Sequence, residues 1–128
     1  MDINNDNNNN KNFPVSFEVP QERVKDLLIN AIETAIYYWC QRVDCDFESR
    51  FGNGLDMYND LDNPAWALVV TSDDGETTRI NKDSLSKGLK LMAEQYPEHF
   101  LDAVTENDDA ITADVFFQCV VFNDVIYG

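Results

Sequence analysis

The longest regular pattern of apolar residues lies between Pro20 and Val43. Its apolar side chains recur at steps of three and four residues, which is the period of a helix with one buried face. Pro20 suits the first turn of a helix, and Glu22 places a carboxylate near the positive end of the helix dipole. The pattern predicts a long central helix over residues 20–43, whose buried face is Val24, Leu28, Ala31, Ile32, Ala35, Ile36, Trp39 and Val43.

Three shorter stretches have the pattern of β-strands. Residues 13–19 alternate between apolar and polar side chains, and β-prone runs cover residues 65–71 and 76–80. The Ser-Asp-Asp-Gly sequence at residues 72–75 is typical of a hairpin turn in which the glycine supplies a positive φ. We expect these three strands to form a small antiparallel sheet.

Helical spacing returns in the C-terminal half of the chain. A helix capped by Asn81 or Asp83 is predicted to run to Tyr96, because Pro97 cannot continue it. Gly88, in the middle of this helix, costs about 1 kcal/mol relative to alanine. That cost is understandable if another backbone packs closely against Gly88.

Two further helices complete the predicted fold. Residues 98–104 are expected to form a short turn or helix, and Thr112 is the expected N-cap of a last helix that runs to about Asn123. The last helix is apolar on nearly all sides, so we expect it to be deeply buried or covered by another subunit. The prediction is an α+β fold, with a small antiparallel sheet of about three strands packed against a long central helix and two C-terminal helices.

Two stretches have no helix or strand pattern. Residues 1–12 are rich in asparagine and nearly devoid of apolar side chains, so we expect a disordered tail and a single domain over residues 13–128. Residues 44–64 are an acidic stretch long enough to be a functional or mobile loop. Scattered aromatic and aliphatic side chains predict that this loop is attached to the domain in places.

The charge of the chain narrows the classes of partner. It contains 24 acidic and 9 basic residues, giving a formal net charge of −15. This composition argues against binding nucleic acid or an anionic membrane, because such binding needs Lys and Arg side chains. It allows binding to a basic groove that normally holds nucleic acid, while solubility alone is an equally good explanation. The candidate partner-binding residues are Asp44, Asp46, Glu48, Asp56, Asp60 and Asp62.

The chain has few residues suited to catalysis or metal binding. His99 is the only histidine, the three cysteines are scattered, and no glycine-rich phosphate-binding motif occurs. We therefore expect no enzyme activity, no catalytic residue, no cofactor and no metal. The cysteines are most simply reduced thiols, and neither an export signal nor a membrane span is recognisable, which predicts a cytoplasmic protein.

Four stretches together resemble a known group of proteins. They are Tyr38-Trp39, GLKLMAEQYP at residues 88–97, TADVFFQC at residues 112–119 and VIYG at residues 125–128. The chain resembles a group of small acidic, uncharacterised proteins encoded in bacteriophage and prophage genomes. It departs from the expected pattern at Asn123, where similar chains are expected to have glycine. The resemblance implies a phage origin, and thus a place in the cytoplasm of the host cell, and assigns no catalytic residue.

Two functional hypotheses follow from the charge and this resemblance. The first is a non-enzymatic phage accessory protein that binds a host protein through its acidic surface. One form of it is an inhibitor of host anti-phage defence that imitates nucleic acid, as some anti-CRISPR proteins do. The second is a protein that sequesters a small signalling nucleotide or metabolite, which would show as ligand-dependent thermal stabilisation.

The apolar C-terminal segment also suggests self-association. Residues 115–126 hold more apolar side chains than one side of a terminal helix in a small domain is expected to bury. We expect an uncovered stripe formed by Phe117, Val121 and Tyr127. Two such stripes facing each other would form a homodimer, unless the loop at residues 44–64 folds over the same stripe instead.

Overall fold

The structure, a computed structural model, has a three-stranded antiparallel sheet packed against helices, which confirms the predicted α+β class. It describes residues 11–16, 18–50, 56–107 and 109–128, and only the backbone of Asp56. The strands are β1 (Cys40–Cys45), β2 (Ala67–Ser72) and β3 (Thr77–Asn81). The helices of the described ranges are α1 (Gln21–Asn30), a π-helical turn (Ala31–Ala35), α2 (Asp56–Asn59), α3 (Lys82–Gln95), α4 (Pro97–Val104) and α5 (Ala110–Phe122).

The predicted hairpin is confirmed and forms two of the three strands. β2 is the central strand and pairs with β3 on one side and β1 on the other, both in antiparallel orientation. Gly75 lies in the turn with φ +89°, a conformation that L side chains rarely adopt. Leu68 and Val70 of β2 are fully buried, so this strand anchors the sheet to the helices.

The predicted long central helix is wrong beyond Ala35. After α1 the chain forms the π-helical turn, in which Ile36 donates its backbone N–H to the carbonyl of Ala31 at 3.1 Å. It then turns and forms β1. The backbone groups of Cys40–Cys45 are paired with β2 and not within a helix. The residues after the π-helical turn therefore form a turn and a strand, although their apolar side chains have helical spacing. Trp39 is buried but lies in the turn.

The predicted strand at residues 13–19 is also wrong. The described residues of this stretch form no strand, and Phe13 and Val15 are 93% and 85% exposed. β1 occupies the place in the sheet that this stretch was expected to fill. An alternating pattern indicates only that a stretch can pair, and here the neighbouring strand is taken by another segment.

The start of α3 is confirmed in detail. The side chain of Asn81 accepts the backbone N–H of Ser84 at 3.0 Å, and Ser84 Oγ accepts the N–H of Asn81 at 3.0 Å. This reciprocal capping box satisfies two backbone donors that a helix start leaves open. α3 ends at Gln95, one residue before the predicted end, and Pro97 opens α4.

The true central helix is α5. It contacts α1, the π-helical turn, α3, α4 and β3, and its residues are buried on nearly all sides, as the sequence predicted. Its N-cap is Asp109, whose side chain accepts the N–H of Thr112 at 2.9 Å, so the prediction of Thr112 as the cap is wrong. The expected close packing at Gly88 is confirmed, because a Cβ there would lie 2.8 Å from Val120 Cα.

The acidic stretch at residues 44–64 is attached to the domain, as predicted. It includes the end of β1 and the short helix α2, and the side chains of Tyr58 and Leu61 are buried in the core. Tyr58 donates its hydroxyl to Glu33 at 2.5 Å. Residues 51–55 lie outside the described residues, as does most of the predicted tail at residues 1–12, which stays a prediction.

Candidate functional site

The acidic residues at the end of β1 are paired with arginines of the sheet. Arg42 donates to Asp44 at 2.9 Å, and Arg79 donates to Asp46 across the sheet at 2.8 Å. All four side chains are about half or more exposed, so each pair contributes little stability. The negative charge of these two aspartates is therefore locally compensated.

Asp60 and Asp62 share one arginine. Arg50 donates its side chain to both carboxylates, and its backbone N–H also donates to Asp60 at 3.0 Å. Asp60 is fully buried, so the expectation that it belongs to the acidic surface is wrong; its role is to hold Arg50 against the domain. Glu48 is exposed, and the side chain of Asp56 lies outside the described residues.

The environment of Asp60 fixes its ionisation. Burial disfavours the carboxylate, but hydrogen bonds from Asn63 and from the backbone and guanidinium of Arg50 outweigh this effect. They lower the pKa of Asp60 from 3.8 to about 2. A carboxylate with a lower pKa in the folded chain stabilises the fold above its unfolded pKa.

We predict that Asp60 contributes to acid sensitivity. Its stabilisation is present above pH 3.8 and is lost as the pH falls towards about 2. The stability difference between wild type and Asp60→Asn should therefore shrink over this window, as measured by urea unfolding. Asp62→Asn, which removes the exposed carboxylate on the same arginine, is the control. A difference that stays constant through the window would contradict the prediction.

The C-terminal part of the chain has no lysine or arginine of its own, and Arg23 of α1 reaches it by donating to the carbonyl of Ala103. From Leu91 to Gly128 the sequence contains no lysine or arginine, and its acidic residues are Glu94, Glu98, Asp102, Glu106, Asp108, Asp109, Asp114 and Asp124. Four of them, which we call the unpaired set, have no ion-pair partner among the described residues and lie in or next to α3 and α4: Glu94, Glu98, Asp102 and Glu106.

The unpaired set includes two carboxylates one turn apart on α4. Glu98 and Asp102 are four residues apart, so they share a helix face. Like charges at this spacing destabilise a helix by a few tenths of a kcal/mol. The arrangement leaves a concentrated negative field that the fold itself does not require.

A second feature is a polar cluster beneath the C-terminal segment. Asp114 of α5 accepts the indole N–H of Trp39 at 2.8 Å and the side-chain amide of Gln118 at 2.9 Å, both at Oδ1. Its Oδ2 accepts the hydroxyl of Tyr38. Three neutral donors thus hold one half-buried carboxylate in a fixed orientation.

Gln118 joins this cluster to residues 123–128. It is fully buried, and its Oε1 accepts the backbone N–H groups of Ile126 and Tyr127 at 2.8 and 2.9 Å. Its Nε2 also donates to the Tyr127 carbonyl at 3.2 Å. Asn123, in the left-handed conformation at the end of α5, turns the chain back so that these bonds can form.

The returning segment covers the indole of Trp39. The Tyr127 ring stacks on Trp39 with an interplanar angle of 3° and ring centroids 5.6 Å apart. Phe117 and Phe122 contact the same indole at centroid distances of 6.1 and 5.1 Å. The aromatic contacts and the bonds of Gln118 together hold the C-terminal segment in place.

A cavity of about 490 Å³ opens beside this cluster. Three tyrosines line it, together with Asp114 and with His99, whose Nδ1 lies 3.1 Å from Thr112 Oγ1. No lysine or arginine is among the described lining residues, which are Ala35, Tyr38, Tyr96, His99, Ala110, Ile111, Asp114, Val115, Val125, Tyr127 and Gly128.

Two of the lining tyrosines have carboxylate partners. Burial, the hydrogen bond to Asp114 and its charge raise the pKa of Tyr38 to about 12. The hydroxyl of Tyr96 donates to Asp124 at 2.8 Å, and this bond, together with burial, raises its pKa as well. Both hydroxyls are therefore neutral donors at physiological pH, and both residues bring an aromatic ring to the lining of the cavity.

The residues predicted to self-associate are covered by the chain itself. Phe117 is fully buried and Val121 nearly so, while Tyr127 is half-buried against Trp39. The expectation of an uncovered stripe is wrong, because α5 lies in the centre of the domain and not at its edge. A homodimer stays a prediction to which no residues are assigned.

Sequence reasoning missed Asp114, Gln118 and Tyr96 as members of one site. These residues, and also Tyr38, Trp39 and Tyr127, lie in the four stretches that the sequence analysis singled out. The fold brings these separated stretches together around one cavity. Residue types alone could not show this, because the contacts span as many as 80 positions.

Other sites are few in the part of the chain that the structure describes. An open groove of about 1000 Å³ runs between residues 15–21, α1, α3 and α4. No group of three or more histidine, cysteine or acidic side chains in the described ranges could hold a metal ion. None of the helices in those ranges is both long and apolar enough to cross a membrane.

Comparison with protein families, with curated proteins and with solved structures finds no match to this chain.

Proposed function

We propose that this chain is a non-enzymatic binding protein that docks its acidic surface on a basic surface of a host protein. The observation that carries the proposal is the distribution of charge: the C-terminal part of the chain contains carboxylates and no lysine or arginine. A surface of one sign attracts a partner of the opposite sign and accelerates their encounter. A phage accessory role in the host cytoplasm fits the resemblance of the sequence.

In the form of the proposal that we favour, the partner surface is one that normally binds nucleic acid. Such a surface presents lysine and arginine side chains to a row of phosphates, and carboxylates can take the place of those phosphates. Binding of this kind would block the partner's nucleic-acid site, as an inhibitor of host anti-phage defence would do.

The acidic residues at positions 44–62 are poor candidates for the surface that contacts the partner protein. Asp44, Asp46 and Asp62 are paired with arginines, and Asp60 is buried. The unpaired set keeps its charge available to a partner. It is therefore the better candidate for the binding surface.

We predict that neutralising the unpaired set weakens binding about thirtyfold. The variant carries Glu94→Gln, Glu98→Gln, Asp102→Asn and Glu106→Gln. Three of these charges are exposed and Asp102 is half-buried, and each is worth about 0.5 kcal/mol. The partner is first captured from host lysate and purified. Its affinity for each variant is then measured at low and high salt, because screening should weaken the wild-type complex.

The matched control removes the same number of charges from ion pairs: Asp44→Asn, Asp46→Asn, Asp62→Asn and Asp83→Asn. These aspartates pair with Arg42, Arg79, Arg50 and Lys87. An affinity that is the same at low and high salt would refute the proposal. Equal weakening by the two variants would refute the assignment of the surface, and displacement by duplex DNA would support imitation of nucleic acid.

A further inference from the structure

The cavity beside Asp114 has the chemistry of a receptor for a flat cation. We propose that it binds the guanidinium group of an arginine side chain presented by the partner protein. This inference rests on the proposed function, since it names the group on the basic partner that this part of the surface recognises.

The lining of the cavity is rich in aromatic residues. Tyr38, Tyr96 and Tyr127 all line it. A cation over the face of an aromatic ring is attracted by the negative charge of that face, and arginine is the cation most often found there. Its planar guanidinium can stack on a ring while its N–H groups still donate at the edge.

The carboxylate of Asp114 can accept a further hydrogen bond. Asp114 accepts three hydrogen bonds from neutral donors, two at Oδ1 and one at Oδ2. An ionised carboxylate has about four acceptor positions, so Oδ2 retains capacity for one more donor. No lysine or arginine of the described chain lies within ion-pair distance of Asp114, so its charge is uncompensated in the free protein.

The side chain of Asp114 is held in a fixed orientation. The donors to Asp114 are themselves fixed, because Trp39 is buried among aromatic rings and Gln118 is bonded to the returning C-terminal segment. A side chain held in its binding orientation loses little entropy when a ligand arrives. The site therefore needs no rearrangement to accept a donor at Oδ2.

The lining also indicates which ligands are rejected. The phosphate groups of a nucleotide would meet Asp114 and no lysine or arginine. The hypothesis of a sequestered signalling nucleotide is therefore not supported at this cavity.

The exposed Ile111 lies at the cavity and offers apolar contact for the stem of an arginine side chain.

The two tryptophans provide a direct test. Trp39 donates its indole N–H to Asp114, whereas Trp66 donates to the carbonyl of Met57 and does not line the cavity. Isotope-labelled protein is titrated with Nα-acetyl-arginine amide, and with the uncharged isostere Nα-acetyl-citrulline amide as the control. We expect the arginine probe to shift the NMR signal of the Trp39 indole and to leave that of Trp66 unchanged. No shift, or an equal shift with both probes, would overturn the inference.

Two kinds of variant locate the bound probe. Asp114→Asn retains an oxygen for Trp39 and Gln118 but removes the charge, so we expect the shift to be lost. At Ile111, which is 64% exposed, Ile111→Glu should strengthen binding and Ile111→Arg should weaken it, each by about threefold. Because Ile111 is exposed, both changes should leave the fold intact. Changes in the same direction for the two Ile111 variants would overturn the inference.

This test is independent of the test of the proposed function. If the arginine probe fails while the unpaired set still controls salt-dependent binding, the cavity assignment is refuted and the proposed function stands. If the probe binds while the partner's affinity is the same at low and high salt, the cavity binds a cation but the acidic surface is not the docking surface.

Discussion

Replacing Gly88 by alanine is expected to lower the free energy of unfolding by about 2 kcal/mol, although alanine is the better helix former. At this position α3 crosses α5 so closely that a Cβ would lie 2.4 Å from Val120 Cγ2 and 2.8 and 2.9 Å from its Cα and N. The side-chain contact could be relieved by a change of rotamer. The backbone contacts cannot, so the two helices would have to separate.

The control for Gly88→Ala is Ser86→Ala, an exposed position on the same helix. Helix propensity alone predicts that both changes stabilise the protein, the glycine replacement by about 1 kcal/mol. Urea unfolding of the two variants separates this expectation from the steric one. A Gly88→Ala variant as stable as wild type would show that α3 and α5 can move apart at little cost.

Much of the fold could be predicted because local signals and tertiary contacts agree there. The hairpin, the capped start of α3 and the buried α5 each combine a strong local pattern with a suitable partner in the structure. Gly88 is a further example, since a residue unfavourable in a helix correctly indicated a close helix crossing. In these places no competing structure was available to the same residues.

The errors arose where one stretch suited two structures. Val43 fits a helical face, but its β-branched side chain also suits a strand, and pairing with Val70 of β2 decided between these alternatives. β1 pairs with the side of β2 that the hairpin leaves open, and the described residues of the alternating stretch at 13–19 form no strand. Sequence periodicity does not report which segment reaches a neighbouring strand.

The candidate site was least predictable because acidic residues differ only in their surroundings. Asp60 was grouped with exposed carboxylates although it is buried under Arg50, while Asp114 was not selected at all. What distinguishes Asp114 is its three neutral donors and the cavity beside it. These are tertiary features, and proximity in sequence could not supply them.

Replacing Gln118 by leucine is expected to have the largest effect in this part of the molecule, lowering the free energy of unfolding by about 3 kcal/mol. Leucine leaves the N–H groups of Ile126 and Tyr127 without their acceptor, and an unpaired buried donor costs about 1–3 kcal/mol. It also removes one of the three donors to Asp114. The chain can limit this loss only by releasing the C-terminal segment into water, which ends the stacking of Tyr127 on Trp39.

Hydrogen exchange and tryptophan fluorescence distinguish release of the C-terminal segment from general destabilisation. In Gln118→Leu the amides of Ile126 and Tyr127 should lose nearly all their protection, whereas those of β2 should lose only the part that reflects the lower free energy of global unfolding. The emission of Trp39 should shift as its indole becomes hydrated. Gln95→Leu, an exposed glutamine at the end of α3, is the control and should change neither signal. Protection of both amides in Gln118→Leu would mean that aromatic stacking alone holds the segment. Tyr127 would then still line the cavity in the absence of Gln118, because it lines the cavity only while the C-terminal segment is folded back.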